Sequence, residues 1–501
     1  MIKFFTKYHK WLGVFLTILI LLFSASGILL NHRNLVSGIN ISRKLLPKEY
    51  EYKNWNKGAV KGTLKITEDS ILVYGNIGIW LTDSNAIHFT DFNSGFPKGI
   101  DNRKICKVYK TRTGEIFAGT LFGLYHYNKS VKQWQKIPLD LHNPRIVDIT
   151  EKQDTLIVLS RSFLLQSTDY QNFTKHILPE PENYDNKIGL FKTLWVIHSG
   201  ELYGKIGKLF VDLIGLIFLF LSISGLILFI NKYIVKSKKR KGKNVAKLIS
   251  VSRWNLKWHN KIGWITLIFL IITTITGMFL RPPLLITIAD AKVGKIPFTI
   301  LDTENAWFDK LRRIIYDEKN NRYIIASVNG VYYSSDNFNT KLNSYGQHPP
   351  ISVMGVNVFE QISSNKILIG SFEGLFLWDT KTGSIFDYIE NKPYIKPKIN
   401  GSPIGKYLVT GYTKDINDAE IYFDFNSGAN TIKGNEKFPP MPNLIKNQPM
   451  SLWNVLLEVH TARIYHSLIG IFYFLIIPLT GLFTVFVLIS GFVVWFKRYK
   501  K

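Results

Sequence analysis

His9-Lys10-Trp11-Leu12-Gly13 leads into an uncharged run, Trp11–Leu30, that reads WLGVFLTILILLFSASGILL. A helix needs about 20 apolar residues to cross roughly 30 Å of hydrocarbon, and this run has that length. The opening returns in Trp258-His259-Asn260-Lys261-Ile262-Gly263, ahead of a second apolar run, Ile262–Leu280. In both copies the His precedes one Gly by four positions and another, Gly27 or Gly277, by eighteen. Ser26 or Thr276 stands just before that second Gly. Ser24-Ala25-Ser26 offers the small residues of a cleaved leader, but the length of the run and its later copy favour a retained helix.

Two more runs, Ile206–Ile230 and Ile464–Phe496, complete a set of four. They also correspond. Gly215 and Gly225 are ten apart with Ser224 before the latter, and Gly481, Gly491 and Ser490 repeat that spacing. Upstream, Ile197-His198-Ser199-Gly200-Glu201-Leu202-Tyr203 resembles Val459-His460-Thr461-Ala462-Arg463-Ile464-Tyr465, with a shift of four residues between the two blocks. One extra helical turn in the fourth helix absorbs the shift. The length of this run and its Pro478 predict tilt or a kink there. The repeating unit is therefore helix, outer domain, helix, and it occurs twice.

Basic residues set the orientation. Lys3, Lys7 and Lys10 precede the first helix, Lys236, Lys238, Lys239, Arg240, Lys241 and Lys243 follow the second, and Lys497-Arg498-Tyr499-Lys500-Lys501 ends the chain. All three belong on the cytoplasmic side. The predicted organisation is a first transmembrane helix in 1–32, an outer β domain in 33–197, a second helix in 198–231 and a basic cytoplasmic loop in 232–260. A third helix in 261–281, a second outer β domain in 282–458 and a fourth helix with its basic tail in 459–501 follow. The protein is expected in the cytoplasmic (inner) membrane, multi-pass, with both termini inside.

The formal net charge of +27 raises nucleic acid as a partner, but much of the excess flanks the apolar runs and serves topology instead. One cysteine, Cys106, excludes an internal disulfide and a Cys-ligated zinc or iron–sulfur site within one chain. It reads as a small buried residue.

A shorter repeat runs through the outer segments. Gly75-Asn76-Ile77-Gly78-Ile79-Trp80, Gly119-Thr120-Leu121-Phe122-Gly123-Leu124-Tyr125, Ala326-Ser327-Val328-Asn329-Gly330-Val331-Tyr332 and Gly370-Ser371-Phe372-Glu373-Gly374-Leu375-Phe376 share one pattern. Each follows a short apolar strand, and Leu156–Leu159 and Tyr407–Thr410 are degenerate copies of that strand. The spacing, 44 residues from Gly75 to Gly119 and 44 from Ala326 to Gly370, fits β-propeller blades, three per half, joined in one six-bladed ring. Separate β-sandwiches or meanders are the alternative. The fold class is thus a mixed membrane protein, four transmembrane α-helices in two duplicated halves with outer all-β segments.

Histidines carry the chemistry. His9 and His259 open helices one and three on the cytoplasmic side; His198 and His460 open helices two and four on the outer side, with His466 close beyond and His32 past the outer end of helix one. Ionisable residues at membrane depth are rare and read as functional. Two histidines from facing helices supply both axial positions of a haem iron. The duplication offers two such pairs, His9 with His259 and His198 with His460. A polar anchor at the membrane interface is the alternative for any single one of them.

His9-Lys10-Trp11-Leu12-Gly13 with Ser26-Gly27, and His198-Ser199-Gly200 with Gly204, Gly207, Asp212 and Gly215, resemble the PepSY-associated transmembrane family, which includes inner-membrane iron-uptake proteins and ferric-siderophore reductases. The resemblance covers the four helices and implies two haem b groups, ligated by His9, His198, His259 and His460. His466 is an alternative to His460, and His32 a further ligand. It implies haem-dependent reduction of a ferric siderophore or similar chelate at the outer face. The outer segments depart from the family, which places α/β modules there. No flavin or nicotinamide motif is visible, so electrons come from quinol or a separate donor. The rivals are a non-enzymatic sensor or scaffold with a ligand- or partner-binding propeller, and a transporter. Asp212 reads as a proton carrier, as a contact to a ligand's polar edge or as bonded to a nearby hydroxyl, Arg281 and Arg463 as propionate partners or interfacial anchors, and Trp80, Tyr125 and Trp378 as contacts to a chelate or as blade core.

Overall fold

The computed structural model describes residues 2–352, 355–396, 405–434 and 437–499; Lys500 and Lys501, the end of the basic tail, lie outside the described residues. The chain divides into a helical unit, Met1–Val36 with Asn186–Asp302 and Leu452–Lys501, and a β unit, Ser37–Asp185 with Thr303–Ser451. The helical unit thus takes in 186–197 and 282–302, which the sequence assigns to the outer domains.

The principal helices are α1 (Ile2–Asn31), α2 (Leu190–Ser199), α3 (Gly204–Arg240), α4 (Ala246–Ile265), α5 (Leu267–Phe279), α6 (Leu452–His460) and α7 (Ile476–Tyr499). Apolar side chains such as Phe15, Ile18, Ile206, Leu209 and Ile268 point outward, while Thr17, Ser26, Asp212, Ser224, Thr276 and Ser490 are buried. That inversion suits a lipid solvent, where polar groups turn toward the bundle interior. Ile2–Asn31, Glu201–Arg240 and Arg463–Arg498 are each long and apolar enough to cross a membrane.

The third expected span is not straight. It is shared between α4 and α5, which together would make a fourth crossing but meet at 65°. At the break, the Ile262 carbonyl accepts both the backbone N–H of Thr266 (3.1 Å) and its hydroxyl (2.8 Å).

The expected kink at Pro478 is also corrected. Pro478 sits in the first turn of α7, where its missing N–H has no intrahelical partner to lose. The irregularity lies earlier, at Gly470 (φ 56°) and the 3₁₀ stretch Gly470–Leu475. Gly204 and Gly470 adopt matching conformations, φ 60° and ψ −134° against φ 56° and ψ −142°. Gly204 lies six residues after His198, and Gly470 ten after His460. The four-residue shift is therefore His466–Ile469, a single short helical turn.

His198 and His460 do not open the long helices. Each ends a short one, α2 or α6, and the chain then turns through a left-handed residue, Gly200 (φ 75°) or Ala462 (φ 58°). At Gly200 no side chain is possible, since a Cβ would lie 2.1 Å from the Gly207 carbonyl oxygen.

The β unit holds six antiparallel meanders. They span Gly62–Asp91, Ile105–Ile137, Ile146–His176, Leu311–Ser344, Val356–Pro393 and Val409–Lys433, with four strands in each of the first four, five in the fifth and three in the sixth. The repeated motif is the hairpin turn between second and third strands. Gly75 pairs with Gly78 across a two-residue loop, and Gly78, Gly123, Gly330 and Gly374 all take positive φ. Leu156–Leu159 is a second strand as expected, whereas Tyr407–Thr410 runs into the first strand of the sixth meander, whose second strand is Glu420–Asp424.

The first strand of each meander touches the first strand of the next, and that of the sixth touches that of the first. A buried apolar cluster fills every junction. Leu72 and Tyr74 meet Ile105 and Trp134 at one, and Trp55, Val73 and Trp80 meet Ile421 and Phe423 where the ring closes. Trp80, Tyr125 and Trp378 are core, and Cys106 is buried.

Candidate functional site

The four duplicated histidines of the helical unit share one environment. Each ring packs on a Ser-Gly or Thr-Gly step of a helix from the other half of the chain. His9 Nδ1 lies 2.9 Å from the Val487 carbonyl and 3.4 Å from the Ser490 hydroxyl. His198 Nδ1 lies 3.0 Å from the Thr273 carbonyl and 3.4 Å from the Thr276 hydroxyl. His460 Nδ1 lies 3.0 Å from the Phe23 carbonyl and 3.1 Å from the Ser26 hydroxyl. His259 Nδ1 lies 2.7 Å from the Ser224 hydroxyl.

These contacts fix the tautomer. A carbonyl has no proton to give, so Nδ1–H must donate to it. The hydroxyls beside those carbonyls spend their own protons within their helices, Ser490 on Val487, Ser26 on Leu22 and Thr276 on Ile272, so they too accept from Nδ1–H. Nε2 is left with its lone pair on His9, His198 and His460, the three rings whose Nδ1 faces a carbonyl.

The glycine of each step makes the room. A Cβ on Gly277 would lie 2.7 Å from Cε1 of His198, on Gly491 2.8 Å from Cε1 of His9, on Gly27 3.1 Å from Cε1 of His460 and on Gly225 3.5 Å from Cε1 of His259. Sequence spacing had joined His9 to Ser26-Gly27 and His259 to Thr276-Gly277 within single helices. The structure crosses them.

The rings meet in two pairs. His9 and His259 have centroids 6.3 Å apart with planes at 79°; His198 and His460 are 6.1 Å apart at 48°. A metal–imidazole bond of about 2.0 Å on each side, plus about 1.1 Å from donor nitrogen to ring centre, separates two axial rings by roughly 6 Å. Among the described residues no group of three or more His, Cys, Asp or Glu gathers around a common point. Each pair could therefore offer a metal two imidazole nitrogens. The residues present fit a haem at both sites. His9 and Ser26, which mark the two sites on α1, are about 25 Å apart along the helix.

Other expected residues lie elsewhere. His466 packs edge-on against Tyr473, not opposite His198. Asp212 is buried and bonds no hydroxyl: Oδ2 accepts from His32 Nε2 (2.7 Å) and Oδ1 from the Asn31 amide (3.0 Å). The same amide reaches the Ser199 carbonyl, 3.2 Å away. Arg463 grips Glu458 in bidentate fashion, with Nε 2.9 Å from Oε2. The carbonyls of Phe23, Thr273 and Val487 were not foreseen, because nothing in a sequence marks a backbone oxygen as a partner. The hydroxyl–glycine steps beside them were visible at all four places.

Comparison with known proteins bears on the whole chain. Residues 2–232 and 131–498 match the family described as the PepSY-associated TM region. No curated protein matches significantly. Among solved structures, the chain is similar to the extracellular domain of the one component system BT4673 from B. thetaiotaomicron, at 11% identity and a TM-score of 0.36 over 78% of this chain and 40% of that one. The extracellular domain of the hybrid two component system BT3049 from the same organism gives 12% identity and a TM-score of 0.35, over 76% and 39%. The computationally designed Ika8 protein gives 7% and 0.33, over 76% and 99%. The chain spans only 40% and 39% of the first two proteins' lengths.

Proposed function

This chain belongs to the PepSY-associated TM family and is an integral membrane protein, and from that premise we propose that it carries electrons through the bilayer on two haem b groups to a ferric chelate at the outer face. The observation that carries the reading is the pair of histidine couples near the two ends of α1, each ring with Nδ1 engaged. Haem, when bound, supplies one-electron chemistry at a potential tuned by its surroundings.

The chain's own residues do the rest. Ser26, Ser224, Thr276 and Ser490, with the Phe23, Thr273 and Val487 carbonyls, hold four imidazoles in place and raise their basicity, as outer-shell partners of ligating histidines do. Gly27, Gly277 and Gly491 bring the rings close to the helix backbones.

The basic ends and the Lys236–Lys243 run favour a cytoplasmic location for both termini, with four crossings of the inner membrane, α4 and α5 sharing one. The ring of first-strand contacts and the six junction clusters favour a six-bladed propeller, on the outer side. A ferric siderophore or similar chelate is the substrate class: hard oxygen donors hold Fe(III) far better than Fe(II), so reduction frees the metal. Quinol or a separate carrier is the electron source.

The test is an optical spectrum of the detergent-purified chain, oxidised and then dithionite-reduced, with a pyridine haemochrome count. Sharp reduced α and β bands and close to two haems per chain are expected. A colourless protein from haem-replete cells sinks the relay and leaves a sensor or scaffold.

A further inference from the structure

The β unit contains a small charged cavity that the electron-transfer reading does not use. It lies where the first strands of the meanders converge and is lined by Lys61, Tyr74, Lys107, Asp148, Arg313 and Glu360, with Asn357, Val358 and Phe359. Its free volume is about 10 Å³, room for one water-sized group.

Two of the lining charges are spoken for. Arg313 donates to the carbonyls of Val356 (3.2 Å), Val147 (3.0 Å), Asn357 (2.7 Å) and Cys106 (3.4 Å), and Asp148 Oδ1 lies 3.5 Å from its Nη1. Asp148 also accepts the Ile314 and Ile149 backbone N–H groups. This pair ties the second, third, fourth and fifth meanders together and is saturated.

The Lys61 and Lys107 ammonium groups and the Tyr74 hydroxyl are different. None of them makes a hydrogen bond among the described residues, although Tyr74 is only 3% exposed. Three donors with unspent hydrogen-bonding capacity therefore face one small space, where Asp148 and Glu360 are the carboxylates that act on the Lys107 ammonium. Three cations against two carboxylates leave the lining with one positive charge.

We propose that this cavity binds a single monatomic monovalent anion, a halide of the chloride class, held by Lys61, Lys107 and Tyr74. One negative charge neutralises the lining, and buried charge without a partner is costly. A dianion such as sulfate overshoots the lining's charge. Burial, with Arg145 and Arg313 nearby, disfavours the charged form of Lys61, a penalty that a bound anion would relieve, and burial pushes the Glu360 carboxyl up.

The experiment uses the full chain and does not depend on haem. Crystals grown in bromide are examined for anomalous scattering, and thermal unfolding is followed in bromide, sulfate and gluconate at equal ionic strength. An anomalous peak among Lys61, Tyr74 and Lys107 is expected, together with an unfolding midpoint that rises with bromide and not with sulfate. Lys107→Met should weaken the bromide effect at least about tenfold, and Glu360→Gln, which removes the opposing charge, should strengthen it about tenfold. The second variant is isosteric and serves if the first does not fold. No peak with equal midpoints in all three salts overturns the proposal and makes the cavity a water site. A bromide effect that Glu360→Gln leaves unchanged overturns it equally.

Discussion

In the β unit each repeat leans on the repeats beside it in the ring, whereas in the helical unit each histidine reaches across to the other half of the chain. The six junctions between meanders are filled by many apolar side chains, and every cluster joins consecutive members of the ring. The histidine contacts are four short polar touches, His9 on Ser490, His259 on Ser224, His198 on Thr276 and His460 on Ser26. Apolar burial spreads stability over many contacts. Lipid gives helices no hydrophobic reason to associate, so close packing and interhelical hydrogen bonds weigh more there. A single change in one unit should therefore cost stability and spare chemistry, and in the other do the reverse.

The largest expected effect tests the helical side. Replacing His259 by Ala should remove one haem of two and leave the other spectrum intact, and His9→Ala should remove the same one. His198→Ala and His460→Ala should remove the other. Haemochrome counts and reduced spectra of the four variants check this. If His9→Ala and His259→Ala emptied different sites, the crossed pairing would be wrong.

The β side should fail in the opposite way. Trp80 is buried at the closing junction and donates Nε1–H to the Ile77 carbonyl at 2.9 Å. Trp80→Ala should destabilise the β unit by about 3–5 kcal/mol, the usual range for emptying a large aromatic site. The haem count should not change. Unfolding midpoints beside absorbance spectra measure both, and loss of haem in this variant would break the comparison.

A finer cut lies within the histidine steps. A Cβ at Gly277 would stand 2.7 Å from His198, and one at Gly225 3.5 Å from His259. The first is an overlap and the second ordinary contact. Gly277→Ala should cost about 1–3 kcal/mol of packing and lower haem occupancy at the His198–His460 site. Gly225→Ala should leave the His9–His259 site nearly full. Equal losses in both variants would mean that ring clearance does not decide occupancy.

Legibility in the sequence followed the same divide. Local signals were read directly: apolar length for α1 and α3, the glycine hairpin for the meanders, and the four histidines with their hydroxyl–glycine steps. What the sequence hides is non-local or is decided by a few backbone bonds. One span is broken at Thr266, between Ala246–Ile265 and Leu267–Phe279, which hydropathy does not register. His198 and His460 looked like helix starts because the apolar runs begin soon after them, yet Gly200 and Ala462 end one helix before the next begins. His466 looked equivalent to His460, but it sits in the four-residue insert that lacks a counterpart in the first half. Asp212 seemed to need a hydroxyl, and found His32 from α1's far end.

The smallest expected effect belongs to the charged cavity, where the β unit departs from its own apolar logic. Burial raises the Glu360 carboxyl above its value in the unfolded chain, about 4.3, with Lys107 opposing the rise. The folded state then holds the proton more tightly than the unfolded one. Its contribution is fully present below about pH 4.3 and is lost as pH rises through the higher folded value. Glu360→Gln keeps the shape and removes the titration, so in gluconate buffer it should be the more stable protein at pH 7.5. The gap should close toward pH 4, where the wild-type carboxyl is protonated in both states. Unfolding midpoints of the two proteins at several pH values decide the matter. If the wild type were the more stable at pH 7.5, the Glu360 carboxylate would be gaining more from Lys107 than burial costs it, and the cavity would be balanced without an anion.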